Sequence, residues 1–157
     1  MKRLLFFLAL LLSACSVTVP PRDNAQWTTT VLDTQITWRW VSPGGLGGNL
    51  GGYAISAPGG KSCVVDIDPS LSRDQIPMVA AHEAGHCLAG RYLILGFSRP
   101  DLGPYFDNPF EGFAQTYALA YLAACGQSLK ALGWIDLRPS RCEAPPDPRS
   151  IHPPEVP

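Results

Sequence analysis

Two histidines four residues apart, with a glutamate directly after the first, place the tightest constraint on the fold of this chain. They are His82, Glu83 and His86, in a segment whose pattern predicts a helix. Because residues four apart lie on one helix face, both imidazoles project together and can bind one metal ion. Glu83 lies about 100° around the helix from His82, beside such an ion rather than on it. The fold must therefore bring a further ligand to this helix face.

This pattern supports the chemistry of zinc. A catalytic Zn²⁺ takes three protein ligands and keeps a fourth position for water, whose pKa it lowers to about 7. Glu83 is placed to accept a proton from that water. A third histidine at the extended spacing is absent, because Ala89 and Tyr92 stand where glycine and histidine would be required. The sequence therefore predicts a Zn²⁺ site whose third ligand comes from outside the helix.

Several side chains are candidates for that third ligand. Glu111 is favoured, because it begins a second predicted helix after a loop. Asp101 and Asp107 lie within that loop, from 95 to 107, and His152 lies in a proline-rich tail. Cys87 adjoins His86 but points about 100° away on the helix, so it cannot share the ion.

Glu111 also has a plainer interpretation as part of a helix cap. Asn108 is predicted as N-cap, with Pro109 at the first helical position, and a carboxylate is favoured in a first turn. Gly126 is predicted to close this helix. The ligand role is preferred because Glu111 lies at the margin of a stripe that we expect to be buried. That stripe comprises Phe110, Phe113, Ala114, Tyr117, Ala118, Tyr121, Leu122 and Cys125.

Segments 82–86 (His-Glu-Ala-Gly-His) and 111–118 (Glu-Gly-Phe-Ala-Gln-Thr-Tyr-Ala) together resemble the two-helix core of gluzincin metallopeptidases, particularly those similar to anthrax lethal factor. The resemblance implies that Glu111 is the third zinc ligand and that Tyr105 stabilises the oxyanion. It also implies hydrolysis of a peptide bond with Glu83 as general base. An edge strand above the metal-binding helix would pair with an extended peptide or protein substrate.

The remaining pattern predicts an α+β domain with a twisted antiparallel or mixed sheet and two principal helices, and the resemblance implies that this domain is zincin-like. Residues 27–41 predict one or two strands, and 53–57 with 62–67 predict a hairpin. Between them, 42–52 is predicted to be a flexible loop, and its glycine-rich part, 44–52, could gate access. The first helix is predicted from a Ser72–Gln75 capping box to about Ala89, with Gly90 as its stop. A short helix is expected around 128–132.

The first residues predict export. Lys2 and Arg3 precede an apolar run, and Leu-Ser-Ala-Cys ending at Cys15 resembles a bacterial lipobox. We therefore expect a signal peptide over 1–14, lipid on Cys15 and anchorage in the bacterial cell envelope. Ser16 favours the outer membrane over the inner one. The predicted organisation continues with a tether (15–26), the metallopeptidase domain (27–138) and an extended or disordered proline-rich tail (139–157).

Four further cysteines would then reach an oxidising compartment, where two disulfides are expected. Three pairings are open, and we favour Cys63 with Cys87 and Cys125 with Cys142. Without Lys2 and Arg3, ten basic side chains remain against thirteen acidic ones, which argues against nucleic acid as a partner. Two alternative functions remain at this point: a non-catalytic, zinc-stabilised envelope lipoprotein, and an amidase acting on cell-wall peptides.

Overall fold

A four-stranded sheet and two long helices make up the computed structural model, which describes residues 25–48 and 50–154. The signal peptide, Cys15, most of the tether and residues 155–157 lie outside the described residues. The α+β architecture is therefore confirmed. The strands are β1 (Gln26–Val31), β2 (Thr34–Trp40), β3 (Gly52–Ser56) and β4 (Ser62–Ile67), and the helices are α1 (Gln75–Tyr92) and α2 (Pro109–Cys125).

The sheet is mixed, in the order β1-β2-β4-β3. The 27–41 segment forms two antiparallel strands, and β3 and β4 form the predicted antiparallel hairpin. β2 and β4 run parallel, so β3 is left at one edge of the sheet. Alternate residues of β2 are buried, as expected for a sheet covered on one face. The covered face carries the side chains Ile36, Trp38, Trp40, Cys63, Val65 and Ile67.

α1 is buried on most of its surface because it packs against both the sheet and α2. Its side chains are small where α2 approaches: a Cβ on Gly85 would lie 3.1 Å from Ala114 Cα. The helix begins at Gln75 beside the predicted capping box, in which Ser72 N donates to Gln75 Oε1 at 2.9 Å. Pro77 is tolerated because it falls in the first turn.

The predicted stop at Gly90 is wrong. α1 continues to Tyr92 and ends where Leu93 adopts a left-handed conformation with φ of 55°. Gly90 serves a different purpose, because a Cβ there would lie 2.4 Å from Ser56 Oγ at the end of β3. The glycine therefore permits close packing of α1 against the edge strand instead of ending the helix.

α2 has the predicted boundaries. Asn108 Oδ1 accepts a hydrogen bond from Phe110 N at 2.9 Å, and Gly126 follows the last residue. The stripe is buried from Phe113 to Cys125 except for Leu122, which is partly buried. Phe110, expected to begin the stripe, is 58% exposed because it lies on the rim of a cleft. The expected short helix after α2 is a single 3-10 turn, Lys130–Leu132.

Both favoured disulfides are present, Cys63–Cys87 and Cys125–Cys142. They indicate an oxidising, extracytoplasmic compartment. The second bond holds the tail, which packs against the domain as far as Ile151: Pro148 is buried and Ile151 contacts the core. Within the part of the chain described, no helix has the length and apolar character needed to cross a membrane.

Replacing Cys125 and Cys142 together by alanine should destabilise the domain by about 3 kcal/mol, because the bond closes a 17-residue separation. Urea unfolding would measure the loss, and limited proteolysis should show earlier cleavage after residue 139. Wild-type stability in the double variant, or two free thiols in the folded wild type, would contradict the bond.

Candidate metal centre

Three potential ligand atoms converge between α1 and α2. Glu111 Oε2 lies 3.0 Å from His82 Nε2 and 3.3 Å from His86 Nε2, and the two Nε2 atoms are 3.2 Å apart. Within the described residues, these three side chains form the one group of histidine, cysteine and acidic residues that could hold a metal ion. The structure thus brings together the histidine pair and Glu111.

Local structure on both helices orients these ligands. His82 and His86 project from one face of α1, as their spacing requires. On α2, Asn108 caps the first turn, so the Glu111 carboxylate is not needed there and turns towards the histidines. The loop before α2 is not irregular, since it contains the 3-10 turns Pro100–Leu102 and Pro104–Asp107.

That loop packs tightly on the start of α2. Phe97 N donates to Pro109 O at 3.0 Å, and Arg99 N donates to Phe106 O at 2.7 Å. A Cβ on Gly112 would lie only 2.2 Å from Phe97 O, so glycine is required after Glu111. This packing fixes the first turn of α2 and with it the position of the Glu111 carboxylate.

The electrostatics of the centre favour a positive charge among the three atoms. Burial opposes protonation of His82, but its hydrogen bond to Glu111 and the charges of Glu83 and Glu111 outweigh burial and raise its pKa. Burial likewise disfavours the Glu111 carboxylate, yet contacts with His82, His86 and Tyr105 hold its pKa well below the usual range. Electron-rich atoms at these separations require a proton or a metal ion between them.

Gln115, to which the sequence patterns assigned no role, also contacts the candidate centre. His82 Nδ1 lies 3.1 Å from Gln115 Oε1, which can only accept, so the ring proton belongs on Nδ1. The Nε2 lone pair of His82 is then free for a metal ion. Gln115 stands four residues after Glu111 on the same face of α2, a spacing that could have identified it.

Glu83 is nearly enclosed, with 5% of its surface exposed. Burial raises the pKa of its carboxyl, while the neighbouring histidines act in the opposite direction. Gly52, the first residue of β3, lies directly against it: a Cβ there would be 2.7 Å from Glu83 Cγ and Oε1. Gly52 belongs to the sheet rather than to a flexible gate, contrary to the expectation for 42–52.

Tyr105 reaches the same centre from the loop. Its hydroxyl donates a hydrogen bond to Glu111, and partial burial together with this carboxylate raises the pKa of Tyr105 to about 12. About half of the side chain is exposed.

The other candidates are placed elsewhere. Asp101 is exposed and paired with Arg99 at 2.7 Å, and Cys87 is in its disulfide. Asp107 and His152 are exposed and do not belong to the group that could hold a metal ion.

Two cavities flank the centre. The larger, of about 610 Å³, runs past His86 and Glu111 towards the end of α1, within the usual size range of ligand sites. The smaller, of about 330 Å³, lies beside His82, Met78 and Phe106. Glu83 and Tyr105 line both cavities, so the metal centre lies where they meet.

Comparison of the chain with protein family models, with curated proteins and with solved structures found no match.

Glu111→Gln should lower metal affinity strongly, because a neutral amide replaces the one anionic ligand. Metal content after dialysis would measure this. Asn108→Ala is the matched control: it removes the cap, costing about 1 kcal/mol of stability. The preceding loop still holds the first turn of α2 and Glu111 in place, so metal content should be unchanged. Full metal retention in Glu111→Gln would exclude Glu111 as a ligand.

Gln115→Leu should weaken metal binding by roughly 10- to 100-fold, the usual effect of losing the partner that orients a ligating histidine. Gln115→Glu keeps an acceptor for His82 Nδ1–H and should retain affinity. Competition with a chromogenic chelator would compare the two. Equal affinity of Gln115→Leu and wild type would show that the contact with His82 has no part in metal binding.

Proposed function

We propose that this protein is a zinc-dependent metallopeptidase that hydrolyses peptide bonds. The observation that carries the proposal is the convergence of His82, His86 and Glu111 beside the buried carboxylate of Glu83, in a cleft bordered by a sheet edge. A zinc ion with a purely structural role would need neither a cleft nor Glu83. This favours an enzyme over the non-catalytic envelope lipoprotein.

The ligand set supports zinc as the metal. Two imidazoles and a carboxylate are a known catalytic zinc set, with a fourth position left open. Ligand atoms at 2.0–2.1 Å from a tetrahedral ion are about 3.3 Å apart. The separations here, 3.0, 3.2 and 3.3 Å, are close to that value. When bound, Zn²⁺ supplies Lewis acidity that activates water and polarises a substrate carbonyl.

The edge strand β3 offers backbone groups to a substrate. Asp68 N donates to Gly51 O at 2.9 Å, so this opposed pair is hydrogen-bonded and the ladder alternates from it. The N–H and C=O groups of Gly52, Ala54 and Ser56 therefore point away from β4. An extended peptide can pair with them alongside α1, and such pairing requires little of the peptide's sequence.

Glu83 performs the proton transfers in this proposal. Its carboxylate takes a proton from the attacking water and then delivers it to the leaving amine. Burial suits the task, because a raised carboxyl pKa brings the acid and base forms closer to the working pH. Tyr105 donates a hydrogen bond to the developing oxyanion, since its half-exposed ring can turn from Glu111 towards a substrate carbonyl.

The gluzincin assignment, in particular the likeness to lethal-factor peptidases, belongs to this proposal and rests on segments 82–86 and 111–118. So does attachment to the outer membrane through lipid on Cys15, which the two disulfides support only in their requirement for export. A cell-wall peptide would use the same chemistry, so an amidase differs only in substrate.

Glu83→Gln tests the mechanism, because it keeps the side-chain shape but cannot take a proton. We expect the variant to fold and bind zinc normally while turnover falls by roughly 10²- to 10⁴-fold or more. Turnover would be measured on peptide mixtures and on cell-wall fragments by mass spectrometry, with zinc content determined in parallel.

His82→Ala is the contrasting variant, in which metal and activity should be lost together. Undiminished turnover by Glu83→Gln would show that Glu83 is not the base. If the zinc-loaded wild type cleaved no peptide and no cell-wall fragment, the proposed enzymatic function would be refuted. The alternative of a non-catalytic, zinc-stabilised lipoprotein would then be favoured.

A further inference from the structure

A group of exposed apolar side chains lines the larger cavity. Leu93 and Leu95 follow the end of α1, with 65% and 86% of their surfaces exposed. Phe110, in the first turn of α2, lies on the rim of the cavity and is 58% exposed. A cluster of large apolar side chains costs solubility, and such patches mark binding surfaces. We call these three residues the apolar wall.

The charged side chains that line the larger cavity are those of the metal centre. Among the described residues that line this cavity there is no lysine or arginine, and its two carboxylates, Glu83 and Glu111, both belong to the centre. Beyond the centre, no described residue that lines the cavity carries a charge that could pair with a charged side chain of a peptide. Burying an unpaired charge against the apolar wall would be costly, whereas an aliphatic or aromatic side chain gains from the contact.

The direction of β3 relates this wall to the scissile bond. The strand starts at Gly52, against Glu83 and beside the smaller cavity, and ends at Ser56, against Gly90 and beside the larger one. Antiparallel pairing is the more stable arrangement. A peptide paired antiparallel to β3 therefore places its N-terminal half along the larger cavity and its C-terminal half towards the smaller one.

We infer that the apolar wall selects peptides with a large aliphatic or aromatic side chain on the N-terminal side of the cleaved bond. The inference rests on the proposed peptidase function and names the substrate class for the same cleft. We expect peptides with leucine or phenylalanine to be preferred over those with glycine or aspartate by tenfold or more in kcat/KM. A single methylene group in an apolar pocket already changes kcat/KM by roughly 10- to 200-fold.

The test uses zinc-loaded protein and ten-residue peptides that carry leucine, phenylalanine, glycine, aspartate or lysine at each position in turn. The double variant Leu93→Asn/Leu95→Asp makes the wall polar, and asparagine tolerates the left-handed backbone at position 93. Both side chains are exposed, so folding should be unaffected. Ile135→Asp is the matched control, an apolar residue that is 72% exposed and does not line this cavity.

The wild type and the control should prefer leucine and phenylalanine N-terminal to the cut by at least tenfold in kcat/KM. The double variant should lose that preference while keeping its zinc. Cleavage without a preference, a preference only on the C-terminal side, or a preference unchanged in the double variant would overturn the inference while leaving the peptidase in place.

Binding separates the two proposals. Fluorescence anisotropy of the same labelled peptides on zinc-loaded Glu83→Gln requires no turnover. Selective binding of the leucine and phenylalanine peptides, lost when Leu93→Asn/Leu95→Asp is added, supports the apolar wall even if no peptide is cleaved. Equal binding of all peptides would overturn it.

Discussion

The contact between α1 and α2 at Gly85 sets the distance on which the metal centre depends. Gly85 lies between the two histidines in sequence, and Ala114 lies one turn after Glu111. A Cβ on Gly85 would approach both Ala114 Cα, at 3.1 Å, and Tyr117 Cβ, at 3.2 Å. A larger residue at position 85 would separate the helices and so move Glu111 away from both imidazoles. The small residue inside the histidine pair is thus a geometric requirement.

The sheet holds the same helix from the other side. The Cys63–Cys87 bond joins β4 to the residue next to His86, and β3 pairs along the free side of β4. Gly90 and Gly52 then allow β3 to lie directly on α1, with Ser56 and Glu83 as the nearest side chains. The proposed substrate-binding edge and the metal ligands are therefore fixed relative to each other through β4. That arrangement suits a reaction in which a peptide carbonyl must be held at one point.

Local sequence patterns predicted the features that depend on interactions between residues close in sequence. The capping box at Ser72, the Asn108 cap, the end of α2 before Gly126 and the β3–β4 hairpin follow from hydrogen bonds and backbone angles within a few residues. The predictions were wrong where the role of a residue depends on a contact with a residue that is distant in sequence. Glycine is typical of a helix end. At position 90, however, the missing side chain makes room for Ser56, which is distant in sequence.

The residues of the candidate metal centre were also predictable only in part. The spacing of His82 and His86 is a local property, and Glu111 could be selected because it begins a predicted helix at the margin of its apolar stripe. Gln115 was overlooked because a polar residue beside an apolar stripe usually faces solvent, and its partner His82 becomes visible only once the helices are packed. Phe110 illustrates the converse, since periodicity assigns it to the core while the cleft leaves it at the rim.

Preorganisation of the ligands separates this centre from small zinc domains in which the metal supplies the folding energy. His82 is held by Gln115, and Glu111 extends from a capped helix whose first turn packs against the preceding loop. The apolar core of sheet and helices is built from side chains other than the three ligands, and two disulfides close it. Removing the metal should therefore leave the fold intact and expose three electron-rich atoms at close range. A bound cation would relieve their mutual repulsion, so the geometry favours metal binding without any demand on folding.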